Sequence, residues 1–286
     1  MVKRTRSPGT ATAPVDLRVV AAEVLPLIGG GRALLLQVAL PAVGRGVVEH
    51  SDFAERAMDR LHATMTFMCA AAFASPDDFA VVRRRVNRAH APVRADADGT
   101  GPAYNAYDPA LQLWVAATLY RTMMDLHERV FGSLSPAEQE GVYQEYVRLG
   151  ANLQIPPSSW PPTRAAFDDY WDAMLGRLEV GDATRALARQ ILYPRNVPLW
   201  IRLLLPDARL VTAGLLPAAV REAFRLPWDD ERRRRYERWM HRLARWYPRV
   251  PQRLRHAPRD AYLRRVQRLV REERAAAGAR AGASGR

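Results

Sequence analysis

The segment VNRAHAPVRADADG, Val86 to Gly99, places one histidine, His90, among arginines just ahead of a loop rich in Asp and Gly. An imidazole there reads in two ways: as an exposed side chain on a basic helix, or as a ligand that the other elements position. Five more histidines, His50, His62, His127, His241 and His256, carry the same ambiguity. A second candidate lies in MDRLHATMTFMC, Met58 to Cys69, where Arg60 and Thr64 are four apart. On a helix that spacing stacks a guanidinium and a hydroxyl on one face. With Leu61, Met65, Phe67 and Met68 around them, the helix is expected to be largely buried, so the pair needs a partner. An internal ion pair with a Thr-to-backbone bond would serve, and so would a buried anionic or oxygen-bearing ligand.

Several chemistries are excluded by pattern. A di-iron bundle needs Glu-x-x-His on two helices, and the chain has none; Asp59 and His62 have that spacing once, without a partner motif. His-Glu-x-x-His, Gly-x-Ser-x-Gly, the P-loop and Gly-x-Gly-x-x-Gly are also missing. Cys69 is the single cysteine, which rules out an internal disulfide or a cysteine-cluster metal site.

The elements that must position these residues are helices. Ser75-Pro76-Asp77-Asp78 and Ser135-Pro136-Ala137-Glu138 each put Ser at an N-cap, Pro at the first helical position and an acid at the third, and Asp108-Pro109 gives a weaker version. Apolar residues then recur at three and four spacing, as in Leu111, Val115, Ala116 and Leu119 or Val142, Tyr146 and Leu149. Runs with period two are absent. The chain is therefore expected to be all-α, a single domain of about ten helices over residues 16–271, with loose ends at 1–15 and 272–286. Breaks are expected at Gly29-Gly30-Gly31, Ala95 to Pro109, Gln154 to Thr163 and Pro194 to Pro198.

Charge and hydropathy bound the partners. From Glu231 to Arg286 there are 18 Arg against 5 acidic residues, so the whole formal net charge of +13 sits in the last helices. The rest is balanced, and the excess reads as a solvated helical face. Trp239, Leu243, Trp246, Leu254 and Leu263 are expected to form the stripe that docks these helices. No run of 18 uninterrupted apolar residues exists, and the N-terminal MVKRTRSPGTATAPVD has no apolar export segment. The expectation is a cytoplasmic protein without a transmembrane segment.

Five segments in order, LLLQVALPAVGRGVVEHSDF, RLHAT, VNRAHAPVR, YNAYDPALQLWVAATL and LPAAVREAFRLPWDDERRRR, resemble the MpaB-type oxygenase family, which includes the catalytic domain of the latex-clearing rubber oxygenases. The resemblance spans roughly Gly29 to Arg271. It implies an all-helical fold with heme b held in a pocket between helices, with His90 as the iron ligand and Arg60 and Thr64 as essential pocket residues. It further implies oxygenation, with dioxygen, of an apolar, unsaturated or isoprenoid-like metabolite. His50 in EHSDF also matches and, with Glu49, is a candidate distal acid or base, although Ser51 beside it reads as an N-cap. The chain departs from the family at Leu40 and Ala116, where relatives commonly carry histidine. Two other readings follow: a heme-free member of the same fold, or a non-catalytic helical protein whose Arg-rich end binds nucleic acid or an anionic membrane.

Overall fold

A computed structural model describes residues 15–50, 53–99, 101–150 and 155–284. Short helices α1 (Leu17–Ala21) and α2 (Leu25–Ile28) lead into α3 (Gly30–Val38), α4 (Pro41–His50), α5 (Phe53–Phe73) and α6 (Pro76–His90). A small antiparallel hairpin, β1 (Arg94–Ala95) with β2 (Tyr104–Asn105), precedes α7 (Pro109–Phe131), α8 (Pro136–Gly150), α9 (Arg164–Leu175) and α10 (Asp182–Leu192). Then come α11 (Leu199–Leu215), α12 (Ala218–Ala223), α13 (Asp230–Trp246), α14 (Gln252–Arg255) and α15 (Ala257–Ser284). The all-α expectation holds. The count of about ten falls short of the fifteen helices among the described residues because α1, α2, α12 and α14, of four to six residues each, are too short for a periodic signal.

The starts read from sequence form as their chemistry requires. The Ser75 hydroxyl accepts from the Asp78 amide at 3.2 Å, and Asp108 accepts from the amides of Ala110 and Leu111. At Ser135 the exchange is reciprocal: the Glu138 amide donates to the hydroxyl at 3.3 Å, and the Ser135 amide donates to the Glu138 carboxylate at 2.9 Å.

Helix α7 is buried on nearly every side and forms the axis of the molecule. Trp114 is fully buried, its Nε1 donating to the Leu36 carbonyl at 3.1 Å, and Tyr120 stacks against Tyr143, Tyr146 and Phe167. The Gly29–Gly31 run, expected as a break, is the α2–α3 junction wedged between α7 and α11. A Cβ at Gly29 would lie 2.3 Å from the Thr122 side chain, and one at Gly31 2.2 Å from the Thr212 hydroxyl. Only hydrogen fits at either place.

The basic C-terminal segment folds back onto this body. Tyr247 donates to the buried Glu23 carboxylate at 2.7 Å, Arg255 pairs with the same carboxylate, and His256 lies 3.4 Å from it. Beyond this anchor α15 lies along α5 and α6: Val266 and Val270 pack with Ala70, Phe79, Val81 and Val82. Tyr262 meets His62 at 3.0 Å, Arg274 pairs with Asp78 at 2.8 Å, and Glu273 pairs with Arg88. The loose tail expected from residue 272 is thus helical as far as Ser284, because its charged residues find partners on α6. Residues 1–14 lie outside the described residues.

The docking stripe also differs from expectation. Tyr236, Met240 and Tyr247 are the buried anchors, with Trp239 and Leu243 half-buried beside them, whereas Trp246 and Leu254 are exposed. The arginines of α13 mask its period, and the stripe is offset from the one the tryptophans suggested.

Candidate functional site

Helices α5 and α6 pack side by side and bring the candidate residues of both to one surface. The backbone of α5 departs from helical geometry at Arg56 (φ −116°, ψ 26°), one turn before Arg60, and Thr64 follows one turn later on the same face. His62 points elsewhere. Its Nδ1 meets the Tyr262 hydroxyl of α15, while Asp59 pairs with Arg56 at 3.2 Å, so the isolated Asp59–His62 spacing is spent on two unrelated contacts.

His90 is the last residue of α6. Its carbonyl accepts from the Val93 amide at 2.9 Å, which turns the chain into the hairpin. Burial, and then the positive charge of Arg60, lower the pKa of His90 below its ordinary value, so the ring is neutral at pH 7. Arg60 is lowered too, by burial and then by Arg56, but a guanidinium keeps its proton at any working pH. Arg60 and His90 are within electrostatic reach of each other.

Arg60 and Thr64 are exposed and His90 half-buried. This corrects the expectation of an enclosed polar pair on a largely buried helix: α15 and α6 cover the other faces of α5, and Leu61, Met65, Phe67 and Met68 are half-buried rather than buried. Water reaches these side chains, yet the neighbouring protein crowds Arg60 and His90 enough to shift their pKa values. This face is cationic at Arg60 and offers a neutral imidazole at His90 and a hydroxyl at Thr64.

His50, the remaining candidate, ends α4 and is exposed, as is Glu49. Its Nε2 lies 2.9 Å from the Tyr104 hydroxyl, and that hydroxyl donates to Glu49 Oε2 at 2.6 Å. Having given its only proton to Glu49, the tyrosine oxygen accepts from His50, which places the His50 proton on Nε2. Arg45 completes the cluster. It bonds Glu49 at 2.6 Å and Asp98 at 2.7 Å, and donates to the carbonyls of Asp96, Gly101 and Pro102. The hydrogen bond from Tyr104, then that from Arg45, hold the Glu49 carboxyl below the usual range, so Glu49 is a fixed acceptor.

Tyr104 belongs to the hairpin that starts four residues after His90, so the α4 cluster is tied to the end of α6. Sequence reasoning missed Tyr104, because a tyrosine on a two-residue strand carries no pattern. The four-residue spacing of Arg45 and Glu49 was the available signal. Ser51 lies outside the described residues.

Elsewhere, Leu40 and Ala116, where the resemblance implied histidine, are both buried among apolar neighbours. Burial pushes the Cys69 thiol up to about 11, which removes it as a nucleophile at neutral pH. Among the described residues no three His, Cys, Asp or Glu side chains converge as metal ligands.

The family model described as "ER-bound oxygenase mpaB/B'/Rubber oxygenase, catalytic domain" matches residues 17–246. The chain belongs to this family. Uncharacterized proteins of Mycobacterium bovis and Mycobacterium tuberculosis are each 36% identical over 212 residues, covering 72% of this chain and 82% of their own length. No solved structure matches. The family is one of oxygenases, which supports an oxygenase kind of function for this chain. The match ends where α13 ends, so α14 and α15, the latter covering α5 and α6, lie beyond it.

Proposed function

We propose that the protein is a heme b-dependent oxygenase that acts with dioxygen on an apolar, unsaturated or isoprenoid-like metabolite, and that His90 is the iron ligand. The observation that carries this reading is the packing of α6 beside α5, which sets the half-buried His90 imidazole within electrostatic reach of the Arg60 cation on an accessible face. The donor set suits an iron porphyrin: one uncharged nitrogen for the metal, one permanent cation for a propionate, and a hydroxyl between them in character. Heme iron, when bound, supplies the activation of dioxygen.

The chain's own residues do the rest. Burial and Arg60 keep the His90 lone pair available at neutral pH, where a protonated ring could not bind a metal. Arg60 would neutralise a carboxylate of the bound group, or stabilise negative charge at an oxygen, and Thr64 would donate a hydrogen bond on the same face. His50 holds a proton on Nε2 at the head of the His50–Tyr104–Glu49 chain, and Glu49 anchors that chain as a carboxylate. In the family setting His50 is the available proton donor or acceptor.

The test is the visible spectrum of the full chain expressed with iron and a heme precursor. A Soret band is expected, lost in His90→Ala with the helical circular dichroism unchanged. Colourless protein that takes up no heme on reconstitution, or an unaltered Soret band in His90→Ala, overturns the assignment.

A further inference from the structure

The first two turns of α11 carry almost nothing but apolar residues: Leu199, Trp200, Ile201, Leu203, Leu204 and Leu205, with Arg202 the one charge. A helix that serves only the core would bury them. Instead Leu199 is 70% exposed, Trp200 64%, Leu203 74% and Leu204 56%. At about 100° per residue these four fall within an arc of about 140° on one side of the helix. Pro206 divides α11, and beyond it Leu210, Val211, Ala213 and Leu215 are buried in the ordinary way.

This apolar face adjoins a basic one. Asp207, three residues past Leu204, pairs with Arg235 of α13 at 2.8 Å. Along α13, Arg235, Arg238, Arg242 and Trp246 share an arc of about 80°, away from the side that Tyr236 and Met240 bury. All four are exposed. The surface therefore runs from an apolar helix face, along a row of arginines, to a second exposed tryptophan.

We propose that this surface docks on an anionic lipid bilayer, with the α11 face seated among the headgroups and upper acyl chains and the α13 arginines against the lipid phosphates. Apolar helix faces bearing Trp and Leu and flanked by arginine bind bilayers in this way, sinking about 5–10 Å. Other occupants fit less of the surface. A second copy would need about 800 Å² per partner, more than two helical turns supply, and a symmetric contact would bring two arginine rows together. A nucleic acid would satisfy the arginines and leave four large apolar side chains in water. No single helix among the described residues is long and apolar enough to cross a membrane.

The test is co-sedimentation of the full chain with vesicles of phosphatidylcholine alone or mixed equally with phosphatidylglycerol. Retention on the anionic vesicles, weakened by salt, and little on the neutral ones are the expected results. Leu203→Glu with Leu204→Glu should reduce binding at least tenfold, and Arg238→Gln and Arg242→Gln about fivefold each, all with wild-type circular dichroism. The positions are exposed, so folding is not at stake. Absence of retention on anionic vesicles overturns the proposal. So does a leucine variant that binds as tightly as wild type, or a DNA duplex that binds more tightly than the vesicles and equally well to that variant.

Discussion

The Glu23 anchor offers the most quantitative test of how the C-terminal segment is held. Its side chain is 5% exposed and that of Arg255 14%, so both charges sit out of water, and Tyr247 and His256 converge on the same carboxylate. In Glu23→Gln, the amide oxygen can still accept from Tyr247 at the position where the hydrogen bond is now 2.7 Å long. Arg255 loses its countercharge. Removing one partner of a buried pair costs about 3–5 kcal/mol, because the remaining charge is left in a poor solvent; the retained tyrosine bond puts this variant near the lower end, about 3 kcal/mol. At roughly 2–4 °C per kcal/mol for a domain of this size, Tm should fall by about 6–12 °C. Thermal unfolding followed by far-ultraviolet circular dichroism measures it, alongside Arg255→Met and the double variant. The double variant should recover part of the loss, since it leaves no orphaned charge. A Tm within about 2 °C of wild type in Glu23→Gln would refute the reasoning, because it would mean that water reaches Arg255 and solvates it. Additive losses in the double variant would show that the two charges do not act as a pair.

Three further outcomes are expected. Arg60→Gln removes a positive charge that disfavours the imidazolium, so the His90 pKa, read from the imidazole proton shifts by NMR, should rise toward 6.5; an unchanged titration would detach Arg60 from His90. Because folded His90 resists a proton that the unfolded chain accepts near 6.5, its share of stability is present above that pH and is lost as the pH falls through the lowered folded value. Gly29→Ala should cost about 1–3 kcal/mol in urea unfolding through overpacking, its Cβ meeting the Thr122 methyl 2.3 Å away. Thr122→Ser, which deletes that methyl, should restore part of the loss, and no restoration would place the strain at the Leu126 side chain, 2.7 Å from the same Cβ.

How much of this was legible from the residues varies by element. The caps at Ser75, Asp108 and Ser135 and the apolar period of α7 are local, so the spacing of neighbours carried them. The overlap of Arg60 with Thr64 is local in the same sense. Whether that face was enclosed was not local, since it depended on α15 covering the other side of α5 from two hundred residues away. The helical end of α15 was hidden for a related reason: Glu273 and Arg274 look like a solvated tail until Arg88 and Asp78 are beside them.

The residues alone determined an all-helical chain, the positions of its strongest helix starts, the arginine and threonine on one face, and the family. The first three follow from backbone hydrogen bonding and the helical repeat, which act over a few residues, and the family from the order of five resembling segments. Only the tertiary structure decided that Arg60 reaches His90, that Tyr104 joins His50 to Glu49, and that the α11 leucines face outward beside the α13 arginines. Those relations are fixed by packing between elements far apart in the chain, where burial and charge are properties of the assembled surface and no spacing in the sequence encodes them.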